Sequence, residues 1–335
     1  MSKRVMSFWF VAALALAVLC GCTPVEHKAN GADIEMKPFK VALITPNSVN
    51  DSGWSALAYR GLQQIETDLK AEVQNVVASS PADIQDAMRS YAQKDFDLII
   101  GHGYEYNAVG LEVGKGFPKT VFVSTSGDKF AENVGTFRFN LEQATYLCGM
   151  IAATMSKTRV VGMVGGPNVP SIESTFQAFE AGVKAVDPTV KVLKAYTQSN
   201  DDIGAAKRQT MAFLDQKADM IIHQANAAAG GVFEACQERG VIAFGTNSDQ
   251  SGDSPMTVLV RAVIIAELAF VDLATQVRDG KYVGGVNLQG MKEGAVGLVW
   301  NEKLSVGVPQ ALKDLIEETT QKIISGELTV PKLDF

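Results

Sequence analysis

Hydrogen-bonding side chains and aromatic rings recur together at several points along this 335-residue chain, each just after a short apolar run. Asn47-Ser48-Val49-Asn50-Asp51-Ser52-Gly53-Trp54 follows the first run, His102-Gly103-Tyr104-Glu105-Tyr106 a later one, and Ser124-Thr125-Ser126-Gly127-Asp128 another. The second half carries Pro167-Asn168, Gln198-Ser199-Asn200-Asp201, His223-Gln224-Ala225-Asn226 and Asn247-Ser248-Asp249-Gln250. Amides, hydroxyls and carboxylates beside aromatic faces suit a flat, polar, largely uncharged ligand. A ring stacks on the aromatic while amide and carboxylate groups read its edge, and such stacking contributes ~1–3 kcal/mol per base. Catalytic signatures are scarce: there is no HExxH, no G-x-S-x-G, no dinucleotide fingerprint and no P-loop. Three histidines, one of them His27, are too few for a histidine metal site. No cofactor and no catalytic step are implied. A hydrolase acting on nucleosides would rely on Asp51, Glu105 and Asp249. A sugar receptor would use Trp54 and Tyr104 as stacking faces.

The elements that must position these residues alternate. Strands are predicted at 41–44, 73–77, 98–100, 121–123 and 134–139, and again at 160–164, 190–193, 220–222, 241–244 and 258–260. Short Val- and Ile-rich runs of this kind suit strands buried on both faces. Between them lie helical patterns. Trp54, Leu57, Ala58, Leu62, Ile65 and Leu69 recur at helical spacing, and Ser80-Pro81-Ala82-Asp83 reads as a capping box with proline at the first helical position. Strand–helix alternation predicts parallel sheets with right-handed crossovers. The pattern also repeats. Pro46 and Pro167 stand 121 residues apart, Asp97 and Asp219 122, and Asp128 and Asp249 121. That constancy predicts two lobes of similar build, with a cleft at the carboxyl ends of their strands. His102 and His223 fall at equivalent strand ends, where they either face each other across the cleft or bond local backbone. Trp54 either begins the apolar stripe of its helix or forms a wall of the cleft.

Lys3 and Arg4 followed by the apolar run 6–19 read as a secretion signal. Leu19-Cys20-Gly21-Cys22 resembles a bacterial lipobox, and Cys22, preceded by small Gly21, is the expected lipid acceptor. A polar, aperiodic tether to about Lys37 follows. Cys148 and Cys236 lie on apolar helical stretches and are expected as buried hydrophobes, with a bridge between them the alternative. The apolar run 262–277 is interrupted by Glu267 and Asp272 and is expected as a buried helix rather than a membrane span. A net charge of −7 without any basic run argues against nucleic acid as a partner.

Longer stretches carry a resemblance. Asn50 to Trp54, Glu142 to Met150 with Ala152-Ala153 and Ser156-Lys157-Thr158, Val164-Gly165-Gly166, Phe179-Glu180-Ala181-Gly182 and Met291-Lys292-Glu293-Gly294 are similar to motifs of the basic membrane protein family. That family of substrate-binding lipoproteins includes purine nucleoside receptors of ABC transporters. The resemblance implies an α/β fold of two Rossmann-like lobes with parallel sheets and a three-crossover hinge, of the type I periplasmic-binding-protein kind. It implies that Trp54 stacks on a base, that Asp51 and Ser52 shape the same wall, and that Tyr104 lines the pocket. It further implies that His223 and Gln224 supply contacts from the second lobe, and that Lys292 reaches the ligand's far side. Nucleoside receptors of the family commonly place an Asp after the fourth strand, where this chain has Thr125-Ser126-Gly127. They carry Gly-Val-Asp where this chain has Gly245-Thr246-Asn247. Those departures favour a free nucleobase or related heterocycle, with Asp249 nearby as a replacement carboxylate.

The resulting expectation is a signal peptide over residues 1–21, a tether over 22–37, a first lobe of 38–139 plus about 258–284, and a second of 140–257 plus about 285–335. The chain crosses between lobes near Phe139, again between Phe244 and Thr257, and once more after the 262–277 helix. The expected ligand-binding set is Asn50, Asp51, Ser52, Trp54, Gly103, Tyr104, Thr125, Ser126, Asn168, His223, Gln224, Asn226, Asn247, Asp249 and Lys292. The expected partners are a purine nucleoside or nucleobase, an ABC permease and, through lipid on Cys22, a membrane. A monomer is the default for a receptor of this kind.

Overall fold

Strand and helix alternate along the chain as the apolar runs require. The computed structural model describes residues 37–50, 53–248, 254, 256–305 and 307–334. The expectations for the leader, the tether and Cys22, and those for Asp51, Ser52 and Asp249, lie outside the described residues. First come β1 (Lys40–Thr45), α1 (Trp54–Leu69), β2 (Glu72–Val77), α2 (Pro81–Gln93), β3 (Leu98–Gly101), α3 (Glu105–Gly114), β4 (Val121–Ser124) and β5 (Val134–Phe139). The plan then repeats with α4 (Glu142–Met155), β6 (Val160–Gly165), α5 (Pro170–Val186), β7 (Lys191–Tyr196), α6 (Ile203–Asp215), β8 (Met220–Gln224), α7 (Ala229–Arg239), β9 (Ile242–Asn247) and β10 (Val258–Ile264). The last elements are α8 (Ala266–Arg278), β11 (Val286–Gln289), β12 (Val296–Trp300), the short α9 (Glu302–Ser305) and α10 (Gln310–Ser325).

Two six-stranded sheets result, ordered β2-β1-β3-β4-β5-β11 and β7-β6-β8-β9-β10-β12. The same order appears twice, which is the structural counterpart of the sequence repeat. The first sheet is parallel throughout. In the second, only β12 runs antiparallel, against β10. Val41, Ala42, Leu43 and Ile44 of central β1 are wholly buried, as a strand covered on both faces demands. Edge strand β2 is largely exposed.

Three sequence expectations need correction. β10 pairs with β9 and β12, so residues 258–264 belong to the second sheet, not to the first lobe. The second crossing therefore falls at Ile265, between β10 and α8, rather than between Phe244 and Thr257. α8 begins at Ala266 because the start of the apolar run is strand. β11 and β12 were not expected: both are partly exposed strands at sheet edges, β11 lacks a continuous apolar run, and β11 joins the first sheet, outside the second lobe expected for 285–335, while β12 joins the second.

Local chemistry holds the helices where they are. Ser80 Oγ accepts from the Asp83 N–H at 3.2 Å, and Pro81 occupies the first position of α2, as read from the sequence. α4 and α5 touch backbone to backbone. A Cβ on Gly149 would lie 2.0 Å from the Phe179 carbonyl oxygen, and one on Gly182 would lie 2.0 Å from that of Tyr146. Any side chain at either position would force the pair apart. Cys148 and Cys236 are buried and unbridged. Burial pushes the Cys148 thiol well above its ordinary value and that of Cys236 up to about 12.

The three crossings are tied to one another. Asn140 N–H donates to the Gln289 carbonyl at 2.8 Å, Met291 N–H to Gln143 Oε1 at 2.7 Å, and Ile265 N–H to the Ala295 carbonyl at 2.9 Å. Met291-Lys292-Glu293-Gly294 makes the turn of the third crossing. Glu293 accepts from the Gly290 N–H at 2.9 Å, and Gly294 takes φ +71°.

Candidate functional site

The topology reverses between β1 and β3 and between β6 and β8, and ligands bind outside the strand ends at such switch points. A cavity of about 370 Å³ lies there, lined from both lobes and from the hinge. The first lobe contributes Asn47, Trp54, Ser79, Gly103, Tyr104, Glu105, Thr125 and Ser126. The second contributes Pro167, Val169, Ser171, Ile172, Thr175, Asn200, Gln224, Asn226 and Asn247, and the hinge region Arg138, Phe139, Leu141, Glu142 and Ile264. The size is within the range of small-molecule sites, roughly 300–1,000 Å³.

Trp54 is fixed from several directions. Its indole stacks on the His102 imidazole with centroids 3.8 Å apart and planes 23° apart. Its indole N–H donates to the His102 carbonyl at 3.2 Å. The His102 Nε2 lies 2.9 Å from the Trp54 carbonyl, which can only accept, so Nε2 carries the proton. His102 is itself fully buried, edge-on to Phe270 at 6.3 Å. Trp54 is half-buried, packs against the core of its lobe, and still lines the cavity. Trp54 also spans the cleft: its backbone N–H donates to Asn226 Oδ1 at 2.9 Å.

The other walls are equally determined. Thr125 follows β4 and is 1% exposed; its N–H bonds the Gly101 carbonyl at 3.0 Å, and its buried hydroxyl has no partner among the described residues. The loop beyond it turns at Gly127, φ +127°, where a Cβ would meet the Asn107 side chain at 2.4 Å. Asn107 in turn grips Lys129 by both backbone groups, at 2.9 Å each. Asn247, at φ +67°, donates through Nδ2 to Gln224 Oε1 at 3.3 Å. Glu105 opens α3, and although the residue is exposed, its carboxyl folds back over Gly103. Desolvation there raises its pKa above the usual carboxylate range.

A buried ion pair floors the cavity. Arg138 Nη2 bonds the Glu142 carboxylate, which also accepts from the Ser174 hydroxyl. Arg138 Nη1 donates to the Leu333 carbonyl at 2.7 Å, and the Leu333 N–H donates to Ser174 Oγ at 2.9 Å. The C-terminal segment is thereby stitched to β5, α4 and α5.

Of the residues proposed from sequence, Trp54, Gly103, Tyr104, Thr125, Ser126, Gln224, Asn226 and Asn247 come together around this cavity. Four others lie outside the lining. Asn168 is exposed between lining Pro167 and Val169, because it is the centre of a tight turn in which the Val169 N–H donates to the Pro167 carbonyl at 3.0 Å. His223 points to the opposite face of β8 from Gln224, where it packs edge-on to Phe233 at 5.1 Å and faces the Ala225 N–H at 3.4 Å. His223 thus bonds local backbone, whereas His102 bonds the carbonyl of Trp54, 48 residues away. Asn50 is exposed and bonds Ser48 locally, and Lys292 is exposed on the third-crossing turn. Sequence reasoning missed Arg138 and Glu142, along with Ser79, Val169, Ser171, Ile172 and Thr175 of the lining. The burial of the charged pair follows from the hinge and not from its neighbours in sequence.

Two lobes of repeated α/β topology, a cross-tied hinge and an interlobe cavity define a two-lobe solute-binding protein. The family model described as "ABC transporter substrate-binding protein PnrA-like" matches residues 39–334, and this chain belongs to that family, Bmp. The family is one of solute-binding rather than catalytic proteins, which act outside the cytoplasm with a membrane permease. The chain is 29% identical to a "Purine-binding protein" of Brucella abortus, over 95% of this chain and 87% of that one. It is 28% identical to an "ABC transporter nucleoside-binding protein BmpA" of Lactococcus lactis, over 99% of each. Among solved structures, an ABC transporter solute-binding protein of Aeropyrum pernix superposes with a TM-score of 0.77 at 21% identity, covering 89% of this chain and 94% of that one.

Proposed function

We propose that this chain captures a purine base or nucleoside in the interlobe cavity and delivers it to an ABC permease. The observation that carries the reading is Trp54, immobilised on His102, bonded across the cleft to Asn226 and lining a cavity rich in amides and hydroxyls. The names of the Brucella and Lactococcus relatives support the same ligand class. Contacts from both lobes favour the closed arrangement, and the permease recognises that arrangement: ligand binding shifts a population. Lipid on Cys22 would hold the protein at the membrane. Thermal unfolding against a panel of bases, nucleosides and sugars tests the reading, because a ligand that binds only the folded form raises the melting temperature by mass action. Shifts with purines support it. Shifts with sugars alone replace it with a sugar receptor of the same architecture.

A further inference from the structure

We propose that Glu105, together with the Thr125 hydroxyl, sets the selectivity of the cavity by accepting hydrogen bonds from N–H donors on the edge of the stacked ring. The protein would then select amine-bearing bases over their amine-free counterparts. The inference rests on the stacked-heterocycle reading and assigns its polar edge. Glu105 lies three residues beyond His102, the residue on which Trp54 is stacked, and its carboxyl folds over Gly103 at the ends of the strands. Thr125 leaves the neighbouring strand, since β3 and β4 pair with Gly101 opposite Ser124. Both loops line the same cavity as Trp54, so they border a ring that packs against the indole there.

Among the charged acceptors, the geometry singles out Glu105. Of the two carboxylates in the described lining, Glu142 is already occupied by Arg138 and Ser174. The Asn226 side-chain oxygen takes the Trp54 N–H, and that of Gln224 takes the Asn247 amide. Glu105 makes no ion pair among the described residues and keeps acceptor capacity toward the cavity. Its desolvation, seen in the raised pKa, is what ligand N–H groups would relieve. The Thr125 hydroxyl, buried and without a partner among the described residues, both donates and accepts, so it matches a ring nitrogen or carbonyl beside an amine.

Calorimetric titration of the wild-type protein and Glu105→Gln tests this, using guanine against hypoxanthine, adenine against unsubstituted purine, and the corresponding nucleosides. The wild type should prefer the amine-bearing member of at least one pair by about ten-fold or more, the size expected for a hydrogen bond to a charged group. Glu105→Gln should shrink that preference to within about three-fold. An unchanged preference overturns the proposal. So does a variant that loses nucleosides while keeping free bases, since the carboxylate would then read the sugar. Purine binding by the wild type with either of those results leaves the purine reading intact. Absence of purine binding overturns both. Glu105 also opens α3, so unfolding of the unliganded variant is measured in parallel. Should Glu105→Gln not fold, Glu105→Asp, which keeps the charge but withdraws it, must also reduce the preference.

Discussion

A tryptophan clasped by its neighbours presents a rigid surface, and rigidity lowers the entropy lost when a ligand stacks on it. Trp54→Ala should weaken purine binding by about ten-fold or more, given ~1–3 kcal/mol for a stacked base. Calorimetric affinity checks this, and an unchanged constant would return Trp54 to a packing role. Burial decides the behaviour of the thiols. With Cys148 and Cys236 enclosed and their pKa values raised, neither should react with a thiol reagent at pH 8 in the native, unacylated protein. Both should react at the unfolding midpoint, read by mass spectrometry. Part of the cleft wall was legible at this scale, because Thr125, Ser126, Gln224, Asn226 and Asn247 sit at strand ends where polar residues interrupt apolar runs; Val169, Ser171, Ile172 and Thr175, around the start of α5, were not. His223 was not, since alternation at a strand's last residues depends on register. Nor was the Arg138–Glu142 pair, whose burial follows from the hinge rather than from its own neighbourhood.

At the scale of elements, the glycines of α4 and α5 are close-packing positions. Their place in the family motifs has a physical cause in the carbonyl 2.0 Å from each would-be Cβ. Gly149→Ala should destabilise the protein by ~1–3 kcal/mol through overpacking. Gly230, on α7, has open space around it, so Gly230→Ala should stabilise by roughly 0.5–1 kcal/mol through helix propensity. Chemical denaturation of the two variants gives opposite signs if the helix contact is as described. The central strands and their helices were readable from buried Val and Ile runs and from the Ser80 cap. β11 and β12 were not: edge strands are half solvated, and their pairing partners lie far away in sequence.

For the molecule as a whole, the bond from Trp54 to Asn226 and the Arg138–Glu142–Ser174–Leu333 network join what the hinge allows to move. Asn226→Ala removes one bond across the cleft, ~1 kcal/mol of bias toward closure. It should weaken ligand affinity about five-fold and also cost roughly 1 kcal/mol of unliganded stability, because Asn226 holds φ +47°, a left-handed conformation that strains alanine; titration and chemical denaturation read the two. Glu142→Ala leaves a buried guanidinium without its counter-charge and should cost ~3–5 kcal/mol of stability. Arg138→Met/Glu142→Met should recover much of that loss, measured by thermal unfolding.

The residues by themselves determined the repeated α/β plan, the helix caps and which strand ends carry hydrogen-bonding groups, because these follow from local periodicity and turn chemistry. Tertiary structure decided which lobe takes β10, where β11 and β12 pair, which side chains face the cavity, and that Glu105 and the Arg138–Glu142 pair belong to it. Those outcomes depend on strand register and on contacts between residues far apart in the chain, such as Arg138 with Leu333 and Trp54 with Asn226, and no local pattern encodes them.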